Sequence, residues 1–312
     1  FVKNVLVIYY TQSGQLLDIS KNISKELEDS NDVNLSYYEI KMKNKFPFPW
    51  DKKSFYNAFP ETFLQVSSAL EDLGNPILKE KFDLILFSYQ VWFLSPSIPV
   101  NSFLNTDAAK TLLNETPVVT VIGCRNMWVM AQEKMKKLLF QNNAKLVGNI
   151  VLVDRHINHI SVITILHWML SGKKTNYLGI FPKPGVSDKD INESSKFGSV
   201  IINSLFKDNY DNLQGKLLEK GAVKIKPFLI VMDKRANILF GKWAALINSK
   251  GPANSEKRQP FIKLFSIYLS VAIWLISPIV FLLFLLSFIL LSKRRKRDKK
   301  YYSSVQKKRI NE

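Results

Sequence analysis

The feature that most constrains this chain is an apolar run near its C-terminus. Between Phe261 and Ser292 the one charged residue is Lys263. A helix that crosses a bilayer needs about 20 apolar residues, and this run is longer. It is apolar on every face and too long for the core helix of a small domain, so it reads as a membrane segment. Ser277 and Pro278 lie near its middle, where a proline kinks or turns the chain. Two arrangements stay open: a re-entrant hairpin dipping into one leaflet, and a single tilted span.

The formal charge of +18 raises nucleic acid as a partner. Its distribution points elsewhere. Residues 293–312 carry ten basic side chains against two acidic ones, directly after the apolar run. A basic cluster there belongs to a membrane surface and is expected to stay cytoplasmic; no nucleic acid partner is expected. Residues 1–12 read as a strand and not as a charged-then-apolar leader. The expectation is a soluble domain facing the cytoplasm and anchored to membrane lipids. Cys124 is the single cysteine, so no internal disulfide forms. With His156, His159 and His167 it matches no common zinc spacing, and no metal is expected.

The soluble part alternates between two periods. Residues 2–10 form a β-rich apolar run, followed by a polar turn and then Leu16, Ile19, Ile23 and Leu27 at helical spacing. Further strands are expected at 33–40, 82–88, 117–122 and 150–154, with helices at 62–73, 97–113, 127–141 and 187–206. Strands that are apolar nearly throughout and alternate with helices predict a five-stranded parallel sheet covered on both faces. That α/β class, doubly wound, places ligands at the carboxyl ends of the strands. Residues 41–65 interrupt the rhythm with an aromatic-rich insertion holding Phe46, Phe48, Trp50, Phe55, Phe59 and Phe63. It reads equally as a covering loop and as the wall of an apolar pocket. The expected divisions are a domain over 1–206, a helical juxtamembrane region over 207–260, the membrane segment over 261–292 and a basic tail over 293–312.

Three loops at the expected ligand edge can carry chemistry. Thr11, Gln12, Ser13, Gly14 and Gln15 link the first strand to a helix whose N-terminus suits a phosphate. The turn lacks the lysine of a P-loop, and an ordinary helix cap looks similar. After the third strand, Gln90, Val91, Trp92 and Phe93 offer a flat aromatic face for a planar ring, or a buried core tryptophan. After the fourth, Gly123, Cys124, Arg125 and Asn126 can hydrogen-bond a ring edge, and Arg125 can steady an anionic one. Read blandly, that last loop is a polar turn. The coincidence of all three at one edge is the stronger signal. His156 and His159, just beyond the fifth strand, are candidate proton acceptors near neutral pH, though either can equally be a packing histidine.

Residues 5–16, 82–103 and 118–126 resemble the flavodoxin-like FMN oxidoreductases, including their NAD(P)H-dependent quinone reductase branch. The resemblance implies FMN bound by Thr11–Leu16, Gln90–Phe93 and Gly123–Asn126. It also implies a homodimer, because in that branch a neighbouring subunit often completes the ring site. Two departures stand out: Leu16 occupies the place where the phosphate loop usually ends in a hydroxyl residue, and no second glycine follows Gly123. A narrower likeness rests on Tyr9 to Leu16, on Phe46-Pro47-Phe48-Pro49-Trp50-Asp51, on Ala58-Phe59-Pro60-Glu61 and on the hydrophobic C-terminal segment. Together these resemble the dialkylresorcinol-forming aromatases (dialkylresorcinol condensing enzymes). That resemblance implies FMN-dependent aromatisation of a dialkylcyclohexane-1,3-dione, a lipophilic substrate, and a ketosynthase partner in resorcinol-lipid or flexirubin-type pigment biosynthesis. A membrane-bound NAD(P)H:quinone reductase and a tethered flavodoxin-fold electron carrier or binding module remain as alternatives.

Overall fold

A computed structural model describes residues 2–71, 73–286, 288 and 291–307. In chain order it runs β1 (Lys3–Tyr9), α1 (Gln15–Glu28), β2 (Val33–Glu39), α2 (Lys52–Asn57), α3 (Phe59–Leu64), β3 (Leu84–Trp92), β4 (Ser95–Pro96), α4 (Ile98–Leu104), α5 (Asp107–Leu113), β5 (Pro117–Cys124) and α6 (Val129–Gln141). It continues with β6 (Lys145–Val153), α7 (Asn158–Ser171), α8 (Asp188–Asn192), α9 (Lys196–Phe206), α10 (Leu213–Glu219), α11 (Pro227–Asn248), α12 (Gln259–Val271), α13 (Ser277–Leu286) and α14 (Ser292–Tyr302).

The strands pair in the order β2-β1-β3-β5-β6, all parallel, with β4 turning back antiparallel on the end of β3. This is the doubly wound, flavodoxin-like order. Alternate residues of each strand feed opposite faces. Val5, Val7, Leu84, Leu86, Val119 and Val121 meet Leu16, Ile19, Ile23 and Leu27 of α1 together with α9 and α10. Leu6, Ile8, Ile85, Phe87 and Val118 meet α4, α5 and α6 on the other side. Burial on both faces is why these strands read as continuous apolar runs.

Several boundaries differ from the sequence expectation, each for a physical reason. The helix expected over 97–113 is two, because Thr106 caps α5 by accepting the Ala109 N–H at 3.1 Å. The helix expected over 62–73 is replaced by α2 and α3, which start earlier, at the Asp51 cap and at Phe59. The last strand begins at Lys145 instead of 150. Its polar Asn149 hid the strand, yet it is fully buried, taking the Thr120 hydroxyl on its side chain at 2.9 Å and giving its N–H to Gln214 Oε1 at 2.7 Å.

A third cluster joins the insertion to the C-terminal helices: Phe59, Phe63 and Leu94 with Phe240, Ala244 and Ile247 of α11 and Ile262 and Phe265 of α12. Phe59 and Phe265 stack at 3.7 Å between ring centroids, 4° from parallel. Beside them Arg258 is fully buried. It donates to Glu61 Oε1 at 2.7 Å, to the Ile247 carbonyl at 3.2 Å and to Asn248 Oδ1 at 3.3 Å. From Glu256 to Leu286 the backbone is helical without a break. A wide π turn over Ala272–Ile276 directly precedes Ser277 and Pro278, absorbing the donor that proline lacks. The chain therefore does not reverse there, and no hairpin forms at the proline.

Candidate functional site

The carboxyl ends of β1, β3 and β5 converge on one cavity of about 230 Å³. After β1, Gly14 is the N-cap of α1 in the left-handed region at φ 82°, where a side chain is strained. Its N–H is donated to Thr11 Oγ1 at 3.1 Å. A β-carbon placed on Gly14 meets nothing within 4 Å, so the space over this helix N-terminus is open. Gln15 grips a distant segment: its Nε2 donates to the Val186 carbonyl and its Oε1 accepts the Val186 N–H, each at 3.1 Å. Leu16 is buried and lies under the loop, against Gly123: a β-carbon there would stand 3.0 Å from its Cδ1.

The second loop is not a loop. Gln90, Val91 and Trp92 extend β3, with Tyr89 and Gln90 still paired to β5. The turn follows at Phe93 and Leu94, both left-handed at φ 45° and 60°. Two successive positive φ values fit the tight hairpin turn between β3 and β4, at a cost of about 1–3 kcal/mol each in non-glycine residues. Trp92 is held edge-on by Phe46, Trp50 and Tyr10 at 5.1, 5.4 and 6.0 Å, and its Nε1 donates to Gln90 Oε1 at 3.1 Å. The first half of the insertion supplies Phe48, Trp50 and Phe55 to the cavity wall, while Phe59 and Phe63 face the C-terminal helices.

The third loop supplies the charge. Arg125 is the one ionised side chain bordering this cavity among the described residues. Its guanidinium donates to Asn158 Oδ1 at 2.8 Å, which also accepts Asn126 Nδ2 at 3.1 Å. Burial draws the Arg125 pKa down to about 10, opposed by the Asp154 carboxylate, so it stays cationic at neutral pH. Among the described residues, Asn126 Oδ1 is buried without a partner. Burial pushes the Cys124 thiol far above its ordinary range, so it is not a thiolate nucleophile. Burial does the same to Tyr89, whose hydroxyl donates to Gln132 inside the domain at 2.7 Å.

The structure thus brings Gln12, Ser13, Gln15, Leu16, Gln90, Val91, Trp92, Phe93, Gly123, Cys124 and Arg125 to one cavity, with Thr11 and Gly14 shaping its rim from behind. His156, His159 and Asn126 border a different one. That second cavity, about 970 Å³, lies between the ends of β5 and β6, the starts of α7 and α11, and α13; Met127, Phe228, Leu229, Phe281 and Phe284 give it an apolar wall. His159 Nε2 lies 3.2 Å from the Ile273 carbonyl, which only accepts, so the proton is on Nε2. The ring also packs on Trp274 at 5.1 Å. Asp154 fixes the turn before it, accepting the His156 N–H at 3.0 Å and the Ser161 hydroxyl at 2.8 Å. His167 is placed apart, stacked on Tyr177 at 4.2 Å. Among the described residues no group of three His, Cys, Asp or Glu is placed to hold a metal.

Sequence reasoning missed Trp168 and Met169 of α7 and Gly185, which close the first cavity. Gly185 is left-handed at φ 82°, and a β-carbon there would sit 2.7 Å from Trp168 and 2.8 Å from Gln15. The Pro184-Gly185 pair was a readable turn signal. Nothing in the sequence said where that turn lands.

No protein-family model matches the sequence, and no curated protein matches it. Solved structures similar to it include a flavoprotein from Lactobacillus acidophilus NCFM in complex with FMN, at 18% identity and TM-score 0.37, covering 48% of this chain and 93% of that one. Another is a flavodoxin from the domain Archaea, at 15% identity and TM-score 0.33, covering 65% of this chain and 99% of that one.

Proposed function

We propose that this chain is a membrane-associated, FMN-binding oxidoreductase that dehydrogenates a lipophilic cyclic dione, a dialkylcyclohexane-1,3-dione, to a dialkylresorcinol. The observation that carries the cofactor reading is the first cavity. An open helix N-terminus, an aromatic wall and the half-buried Arg125 cation meet there at the ligand edge of a flavodoxin-like sheet. Phosphate suits the N–H groups of the Gln12–Gln15 turn. A planar ring suits Trp92, Phe93 and Trp50, with Arg125 at its edge. Bound FMN supplies a two-electron acceptor.

The remaining work falls to the chain. The Phe48, Trp50 and Phe55 wall excludes water. Arg125 favours negative charge beside it, whether on a reduced ring or on the enolate of a 1,3-dione. A 1,3-dione is already acidic, so the proton acceptor need not be a strong base. His156 and His159 take that role at the second cavity, with Nδ1 of His159 as the accepting atom. Arg125 of the first cavity wall and Asn126 of the second both donate to Asn158 Oδ1. The apolar wall of the second suits alkyl chains, each buried CH2 contributing about 0.8 kcal/mol.

The test is spectroscopic. The full chain is purified in mild detergent, and a synthetic 2,5-dialkylcyclohexane-1,3-dione is added without oxygen. An oxidised flavin spectrum that bleaches on addition supports the reading. Bleaching by NADPH alone, reversed by a quinone, replaces it with a quinone reductase. No flavin after reconstitution with FMN overturns the cofactor assignment itself.

A further inference from the structure

The apolar run crosses a bilayer by length and composition, yet its surroundings place it differently. We propose that α12, the π turn and α13 form a monotopic seat that lies along one leaflet of an anionic membrane and does not cross it. This inference is independent of what the two cavities bind.

The first line of argument is tethering. At its start the run is pinned by buried Arg258 on Glu61 and by Phe265 stacked on Phe59. Midway, His159 meets the Ile273 carbonyl at 3.2 Å. Near its end, Phe228 of α11 contacts Phe281 and Phe284 at 5.0 and 5.4 Å. The chain then comes back. On α14, Asp298 pairs with Lys234 at 2.8 Å, Tyr301 donates to Glu133 Oε2 at 2.6 Å and Tyr302 is buried in the domain core. Just beyond, the Ser303 and Gln306 carbonyls accept from Gln214 and Lys136 at 2.8 and 2.9 Å. A helix rises 1.5 Å per residue, so α14, with 11 residues, reaches only about 16 Å. The hydrocarbon core is about 30 Å thick. With both ends of the run docked on one domain, α14 cannot return from the far side.

The second line is the outward face. Leu264, Ile267, Val271, Leu275, Ile279, Leu282 and Leu286 are 40–80% exposed. They recur every three or four residues along the helix, and Trp274, Ile276, Phe281, Leu283 and Leu285, 43–55% exposed, widen this apolar surface around its second half. A soluble monomer does not leave a continuous apolar stripe of this length in water. Exposed Lys257 and Lys263 flank one end, and Lys293, Arg294, Lys296, Arg297, Lys299 and Lys300 the other. Cations bracketing an apolar stripe fit anionic headgroups around an acyl-chain surface, with about 1 kcal/mol per cation near the membrane.

Two measurements on the full chain test this. Cysteines are introduced one at a time at Lys257 and Lys300, both exposed, in a Cys124→Ser background, because Cys124 is half-buried and lines the first cavity. A membrane-impermeant maleimide is applied to sealed vesicles that carry the protein on their outer face. Labelling of both positions from outside is the expected result. Protection of the Lys300 position until the vesicles are opened means the run crosses the bilayer and overturns the proposal. In the second, the triple variant Leu275→Asn, Leu282→Asn, Leu286→Asn is sedimented with vesicles containing phosphatidylglycerol. It should bind roughly a hundredfold more weakly than the parent at unchanged melting temperature, since each of these side chains gives up apolar burial. Undiminished binding at unchanged melting temperature overturns the seat.

Discussion

Replacing Glu61 with alanine tests how the C-terminal helices are held. Arg258 is fully buried, and its shortest contact is the 2.7 Å bond to Glu61 Oε1. The other acceptors are neutral and farther, at 3.2 and 3.3 Å. Without Glu61 the guanidinium stays buried with no counter-charge. Breaking a buried pair from one side costs about 3–5 kcal/mol. The Glu61 side chain is 14% exposed, so partial hydration places the loss near the lower end, about 3 kcal/mol. The loss should be local at first, because the pair joins α3 to the segment between α11 and α12 and leaves the sheet untouched. Limited proteolysis of residues 249–255, followed with denaturant in detergent, should therefore show faster cleavage before the sheet unfolds. The double variant Glu61→Leu, Arg258→Met should recover most of the loss, since apolar partners of similar volume replace buried pairs at little cost. A single variant within about 1 kcal/mol of the parent, or a double variant worse than the single, would refute the reasoning.

Other substitutions probe the interior. Asp233 is buried at the N-terminus of α6, where Oδ2 accepts the Met130 N–H at 3.2 Å and Oδ1 has no partner. Desolvation raises its pKa to about 7, against the pull of the Met130 and Val129 amides and of Lys134. A carboxyl raised in the folded state adds stability that is complete below its unfolded value near 3.9 and is lost as pH rises through about 7. Asp233→Asn should therefore change little at about pH 4 and stabilise by up to roughly 4 kcal/mol at about pH 8, read as melting temperature against pH. Gly185→Ala places a β-carbon 2.7 Å from Trp168 at φ 82°. It should cost at least about 1–2 kcal/mol of stability, read as a lower melting temperature, and weaken FMN retention by loosening the Gln15 grip on Val186.

Local signals made most of the sheet legible. The runs expected at 2–10, 33–40 and 117–122 correspond to β1, β2 and β5 within two residues, because burial on both faces makes β1 and β5 apolar nearly throughout and the edge strand β2 keeps a period of two. The misjudged ends were polar residues whose partners are far away. Gln90 and Trp92 looked like loop because nothing local shows that β5 continues the ladder or that Phe93 and Leu94 accept a left-handed turn. Asn149 looked like a break because its partners Thr120 and Gln214 lie elsewhere in the chain. At the site, motif spacing found the residues at the strand ends, while Gly185, Trp168 and the divergence of His156 and His159 into a second cavity depend on long-range packing. The apolar run announced a helix long and apolar enough to cross a membrane. Its docking did not, since the pairs that decide it, Glu61 with Arg258 and Glu133 with Tyr301, are separated by more than a hundred residues.

The insertion between β2 and β3 ties these parts together. Trp92 touches Trp50, Trp50 touches Phe55, Phe55 touches Phe93, Phe93 touches Phe59, and Phe59 stacks on Phe265 of α12. Centroid distances along this chain of rings run from 3.7 to 5.9 Å, so the wall of the first cavity and α12 share one packed aromatic body. Close-packed interiors transmit displacement instead of absorbing it. A displacement of α12 is then felt at Phe93, whose left-handed backbone is packed against those same rings. Aromatic residues thus do two jobs in this insertion. They shape an apolar cavity, and they fix its distance from α12.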